Sequence, residues 1–208
     1  MNKALAAALL CVAALAAGCA TMSEDECRTA DWRMIGYEDG AAGASATALG
    51  SRREACAEHG VVPDLEAYRQ GREEGLREFC QPRNGYHLGA RGGAYAGVCP
   101  ADLESAFAAA YDQGRELYGY TSRVAETDAA INAKRRQLEA LEDRLKENEA
   151  LLLSTEATPD QRTQALLEIK DYAQKKGRIE SEISSLERDR SRYQAELDAY
   201  RAGVDYGT

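Results

Sequence analysis

Six cysteines and two histidines are the residues of this chain with the most chemistry to offer. His59 follows Cys56 by three positions, and His87 follows Cys80 by seven. Four sulfur and nitrogen ligands would suit a zinc ion. These spacings match no strong zinc pattern, however, and an exported chain pairs its cysteines instead. Nucleophilic catalysis has less to build on, because each histidine lies beside a cysteine expected in a bridge and no G-x-S-x-G occurs. The carboxylate pairs Glu38/Asp39 and Glu73/Glu74 read as solvated helix faces. A hydrolytic role would need such carboxylates to converge in a cleft. Binding chemistry is better represented. The stretch "NGYHLGARGGAYAGV" sets Asn84, Tyr86, His87, Arg91 and Tyr95 on a glycine-rich backbone. Tyrosines beside an arginine can hold a glycan or a peptide, although the stretch is neither a P-loop nor G-x-G-x-x-G. A tethered structural loop is the plainer reading. We expect no enzyme activity, no metal and no cofactor.

The compartment follows from the first residues, "MNKALAAALLCVAALAAGCATMSEDE". Lys3 is followed by an apolar run, Ala4 to Ala17, that is too short to span a bilayer. Ala16-Ala17-Gly18 then lead to Cys19. This is the anatomy of a signal peptide, and small residues directly before a cysteine resemble a bacterial lipobox. Ala16 stands where leucine is usual, and a plain secretory peptide cleaved near Gly18 is the alternative. The expectation is a signal peptide over 1–18, cleavage before Cys19, acylation of Cys19 by chains such as palmitate, and a short tether over 19–22. Ala20 follows the cysteine rather than aspartate, which favours an outer-membrane anchor facing the periplasm. The formal net charge of −9 argues against nucleic acid as a partner. Cys27, Cys56, Cys80 and Cys99 then form two disulfides, with three connectivities open.

The elements that must carry these residues are all helical, and the chain changes character near Tyr120. Beyond it, Val124, Ile131, Leu138, Leu145 and Leu152 recur every seven residues, with Thr127, Lys134, Leu141 and Asn148 at the intermediate d positions. The pattern breaks at "STEATPDQ", where Thr158, Pro159 and Gln161 form a capping box with proline at the first helical position. A second heptad run places Ile169, Lys176, Ile183, Arg190 and Leu197 at a, and Tyr172, Ile179, Leu186, Tyr193 and Tyr200 at d. In an antiparallel hairpin the numbers of facing residues add up to a constant. Pairing a with a gives 314 and pairing d with d gives 313, and half of either falls inside the predicted turn. We therefore expect a coiled-coil hairpin over 121–203, turning near 154–158, with a tail over 204–208. Pairing between chains is the alternative. The register also runs backward, so that Gly114 faces Tyr200 and one helix extends from about Asp102 to about Leu153.

Residues 23–120 read as a small domain rich in cysteine and glycine. Helices are predicted at about 23–43, 51–58, 63–79 and from 101 onward. Ser23/Glu26 and Ser51/Glu54 are S-x-x-E boxes, and Pro63-Asp64 and Pro100 mark further starts. Residues 81–100 read as one long connection. Gly36 and Gly40 are four apart, as are Gly71 and Gly75, with Trp32 and Tyr68 preceding the two sets. This predicts rings packed against glycines between helices. A near-repeat, "AYRQGRE" at 67–73 and "AYDQGRE" at 110–116, places the same Tyr and Gly on two helices. If successive helices alternate in direction, the preferred bridges are Cys27–Cys56 and Cys80–Cys99.

The stretches "CRTADWRMIGYEDGAAG", "CAEHG", "YRQGREEGLREFC" and "NGYHLGARGGAYAGVCPADL" resemble a family of bacterial lipoproteins known as domain of unknown function 2799. The resemblance covers roughly residues 24–120. It implies periplasmic placement and brings no activity. The expectation for function is a non-catalytic envelope scaffold that binds a protein partner through its coiled-coil arm, with self-association through the coiled coil as a further expectation. The alternative is a peptidoglycan- or glycan-binding module using the loop 84–98.

Overall fold

A computed structural model describes residues 22–204. The proposed signal peptide over 1–18, the lipid site Cys19 and most of the 204–208 tail lie outside the described residues. Seven helices account for the described fold, and no strand occurs among these residues. They are α1 (Glu24–Thr29), α2 (Trp32–Ala41), α3 (Thr47–Glu58), α4 (Leu65–Phe79), α5 (Pro82–Ala90), α6 (Ala101–Leu153) and α7 (Pro159–Ala202). The protein is all-α, as its pattern predicts.

Three helix boundaries differ from expectation, each for a local reason. The predicted 23–43 helix is two helices. Ser23 and Glu26 form the capping box of α1, but Asp31 then accepts from the backbone N–H groups of Arg33 and Met34 and starts α2 anew. Ser51 is no cap, because α3 already begins at Thr47. The 81–100 connection contains α5, which the glycines conceal. In α5, Pro82 occupies the first turn, and the N–H groups of Asn84 and Gly85 donate to the Gln81 carbonyl. A Cβ on Gly85 would lie 2.6 Å from the carbonyl oxygen of Phe107, so a glycine lets α5 sit on the backbone of α6.

The chain divides into two compact units. One comprises residues 22–88 with 93–111, and the other 89–92 with 112–204. The division falls between Tyr111 and Asp112, inside the second heptapeptide copy, rather than at Tyr120 where composition changes. The helix runs through both points unbroken, so composition alone does not mark where packing partners change.

In the first unit, α2 and α4 pack backbone to backbone. A Cβ at Gly36 would stand 2.1 Å from the Tyr68 oxygen, and one at Gly40 2.3 Å from the Arg72 oxygen. On the facing helix, Gly71 would clash with the Arg33 oxygen at 1.8 Å and Gly75 with the Tyr37 oxygen at 2.1 Å. The four glycines therefore meet carbonyls rather than aromatic rings, correcting the ring-on-glycine expectation. Two small cores flank this contact. Cys27, Trp32, Cys56 and Tyr68 form one, and Leu76, Cys80 and Phe107 the other. Each contains a disulfide, Cys27–Cys56 in the first and Cys80–Cys99 at the second. Closing loops of 29 and 19 residues, each bridge contributes about 3 kcal/mol by restricting the unfolded chain.

In the second unit, α6 and α7 form the predicted hairpin. Thr158 and Gln161 make the reciprocal capping box, with Pro159 opening α7. Cross-helix contacts spread around the 313/314 layering, from 313 for Tyr200–Gln113 to 322 for Arg135–Glu187, with four ion pairs between. Lys176–Glu142 and Arg190–Asp128 each add up to 318, Lys134–Glu182 to 316 and Arg123–Glu196 to 319. Letting a positions of one helix meet d positions of the other yields one constant, 317, close to these pairs. Reversing a chain reverses its a-to-d order, so a single constant requires that mixed layering. At this offset Arg190 is level with Thr127, and Lys134 with Ile183.

Candidate functional site

The five residues of the predicted ligand loop are not brought together. Asn84 lies on α5 and donates from Nδ2 to the carbonyls of Glu78 and Phe79, at 2.9 and 3.2 Å, closing the end of α4. Tyr86 is buried, with its ring edge-on to His87 at 5.8 Å. His87 is exposed on α5 within 3.4 Å of Arg83 Nε, and Arg91 is exposed beyond the helix end. Tyr95 packs against Phe107 and Tyr111, with ring centroids 4.7 and 5.7 Å away. Its hydroxyl donates to Glu104 and accepts from the Cys99 backbone N–H. Burial, followed by the Glu104 hydrogen bond, pushes the Tyr95 phenol up. Tyr86 is buried and Tyr95 is held in an aromatic cluster, so the two rings do not form a shared face in this stretch.

The first unit does hold one buried polar group. Asp39 is 7% exposed, and the Tyr68 hydroxyl donates to its Oδ2 at 2.7 Å. Arg52 forms an ion pair with the same oxygen. The reading of Asp39 as a solvated surface carboxylate is thus corrected. It lies one helical turn from Ile35 and two from Trp32, and Gly36 and Gly40 draw α4 so close that its face is covered. Burial and the Asp39 hydrogen bond push the Tyr68 phenol up to about 12. Arg72 reaches the Ala44 carbonyl from Nη2 at 2.9 Å, while its buried Nε has no partner. Charge is matched and the group is sealed by side chains, so it fixes helix positions rather than offering a reacting centre. Glu73 and Glu74 are exposed, and Glu74 binds Arg33 at 2.5 Å. No group of three metal-ligating side chains forms among the described residues. No described helix is long and apolar enough to cross a membrane.

A concave surface lies along the hairpin. It is a groove of about 540 Å³ floored by Ala140, Leu141, Tyr172 and Ile179. Lys134, Gln137, Arg144, Lys175, Arg178 and Glu182 form its edges. Lys134 binds Glu182 at 2.5 Å, Arg144 binds Glu147 at 3.0 Å, and Lys175 binds Asp171 at 2.5 Å. Lys175 also lies 5.7 Å from the Tyr172 ring centroid. Arg178 has no ion pair or hydrogen bond among the described residues. Away from the groove, Lys176 donates to Glu142 at 2.6 Å, and that bond raises the lysine and lowers the carboxyl. Sequence reading found these residues as seam and flank positions but not as a groove. The signal was available in the half-polar d series, which leaves one side of the seam thinly covered. Such a surface can hold an extended apolar partner; it has no group placed to activate a nucleophile or a water.

The repeat also resolves at this level. Tyr68 and Gly71 of the first copy face inward onto α2, and Tyr111 of the second donates to the Gly93 carbonyl at 3.0 Å. Gly114 is buried, and the hydroxyl of Tyr200 donates to the neighbouring Gln113 carbonyl at 2.6 Å.

No curated protein and no solved structure matches the chain. Residues 31–116 match the model of the family described as "Protein of unknown function (DUF2799)". That span contains the glycine-clasped α2 and α4, the buried Asp39, three of the four bridging cysteines and both copies of the heptapeptide. The matched span covers less than half of the chain.

Proposed function

We propose that the protein is a lipid-anchored, non-catalytic scaffold of the bacterial envelope that binds a protein partner through its hairpin. The observation that carries this reading is the exposure of leucines on both sides of the 154–158 turn. Leu153 is 83% exposed, Leu166 55% and Leu167 61%, with Leu151 also exposed. Exposed apolar side chains near one end of an element support reading that end as an interaction surface. The lipobox-like Ala16-Ala17-Gly18-Cys19 supports anchorage through acylated Cys19, facing the periplasm. The test removes residues 125–199 and compares proteins captured from crosslinked envelopes. Loss of a defined partner is expected, and an unchanged partner set would sink the reading. Anchorage is tested separately by labelled palmitate, whose incorporation should vanish in Cys19→Ser.

A further inference from the structure

We infer that the hairpin groove seats a third helix, supplied by a partner protein, whose apolar stripe is flanked by carboxylates. This rests on the reading of the hairpin as a partner-binding element and names the place and the chemistry. The geometry is that of a helix seat. On α6 the groove residues 134, 137, 140, 141 and 144 fall at heptad positions d, g, c, d and g. On α7 the residues 172, 175, 178, 179 and 182 fall at the same positions in the same order. Two antiparallel helices thus present matching faces on one side of their seam. The trough between them runs along both axes, where a third helix lies in a bundle. Ala140 keeps the floor low so that a backbone can approach, and Leu141, Tyr172 and Ile179 leave apolar surface half covered in the two-helix form.

Charge selects the occupant. The whole chain carries −9, yet residues 134–144 and 172–182 together hold seven basic and five acidic side chains. Four cations, Lys134, Arg144, Lys175 and Arg178, edge the groove against one carboxylate, Glu182. Three of the four are neutralised locally by carboxylates that a partner could displace, and Arg178 is held by none. An acidic flank on the incoming helix is therefore favoured, and a basic one would meet like charge.

The test uses the purified full chain and two fluorescein-labelled three-heptad peptides with leucine at a and d. One carries glutamate at e and g, the other lysine. Anisotropy should show the glutamate peptide binding at least tenfold more tightly than the lysine peptide. Ala140→Glu and Arg178→Glu should each weaken it tenfold or more with helix content unchanged. Ser184→Glu, at an exposed position off the groove face, should leave binding intact. Equal binding of the two peptides, or equal loss in Ser184→Glu, overturns the proposal. So does a dimer of this chain that Ala140→Glu abolishes while neither peptide binds, because the occupant is then a second copy. If no peptide binds while deletion of 125–199 still removes partners, the groove assignment falls and the hairpin reading stands. If the deletion changes nothing, the hairpin reading itself falls.

Discussion

A methyl group on Gly71 would meet the Arg33 carbonyl oxygen at 1.8 Å, whereas one on Gly177 would meet nothing within 4 Å. The same substitution should therefore have opposite signs at the two sites. Gly71→Ala should cost about 1–3 kcal/mol, as overpacking of a filled contact does. Gly177→Ala should add up to about 1 kcal/mol from helix propensity alone. Thermal unfolding followed by circular dichroism checks both. Tyr68 supplies a pH prediction. Its phenol stays protonated to about 12 in the folded protein, against an ordinary value of 10.0. The unfolded chain releases that proton first, so this contribution to stability is complete below pH 10 and is lost as pH rises toward 12. Tyr68→Phe should flatten the fall in melting temperature between those limits. The spacing of the glycines is legible in the sequence, and so is the close approach of helices that it permits. Their contact with carbonyls was not legible, nor was the burial of Asp39, because both depend on which face of α4 arrives.

For elements, heptad phase and capping chemistry were enough to predict α7 and the turn before it. Thr158 and Gln161 hold that start by reciprocal hydrogen bonds, and Thr158→Ala should cost about 1 kcal/mol. Hydrogen exchange should show the loss first in the amides of Gln161 and Arg162. The helix pairing is legible, but its offset is not, since a-with-a and a-with-d layerings both place the midpoint at the turn. Only the cross-helix ion pairs separate them. Cysteines placed at Leu138 and Ile179, whose numbers add up to 317, should therefore crosslink on oxidation. Cysteines at Leu138 and Lys176 should not, as peptide mapping by mass would show. The helix α5 was illegible for another reason. Asn84-Gly85 is a turn signal, and here the close approach of Gly85 to α6 outweighs it.

At the scale of the whole molecule, both disulfides lie in the first unit, and the hairpin has none. Reduction should lower the melting transition of the first unit and leave the hairpin's own transition in place, a separation that near- and far-ultraviolet dichroism can resolve. The backbone clasp between α2 and α4 has a consequence for how such a chain can change over time. Every single-base change in a glycine codon that alters the residue adds a Cβ or a stop. At Gly36, Gly40, Gly71 and Gly75 each of those atoms falls within 2.3 Å of a carbonyl oxygen. No neighbouring side chain can be trimmed to make room, because the obstruction is main chain. These four sites are therefore closed to one-step mutation, while the exposed c and g positions of the hairpin stay open. A saturation library selected for protease resistance should return only glycine at the four sites and broad residue sets along the groove walls. The chain would then drift fastest along the exposed walls of the hairpin and slowest where α2 and α4 touch.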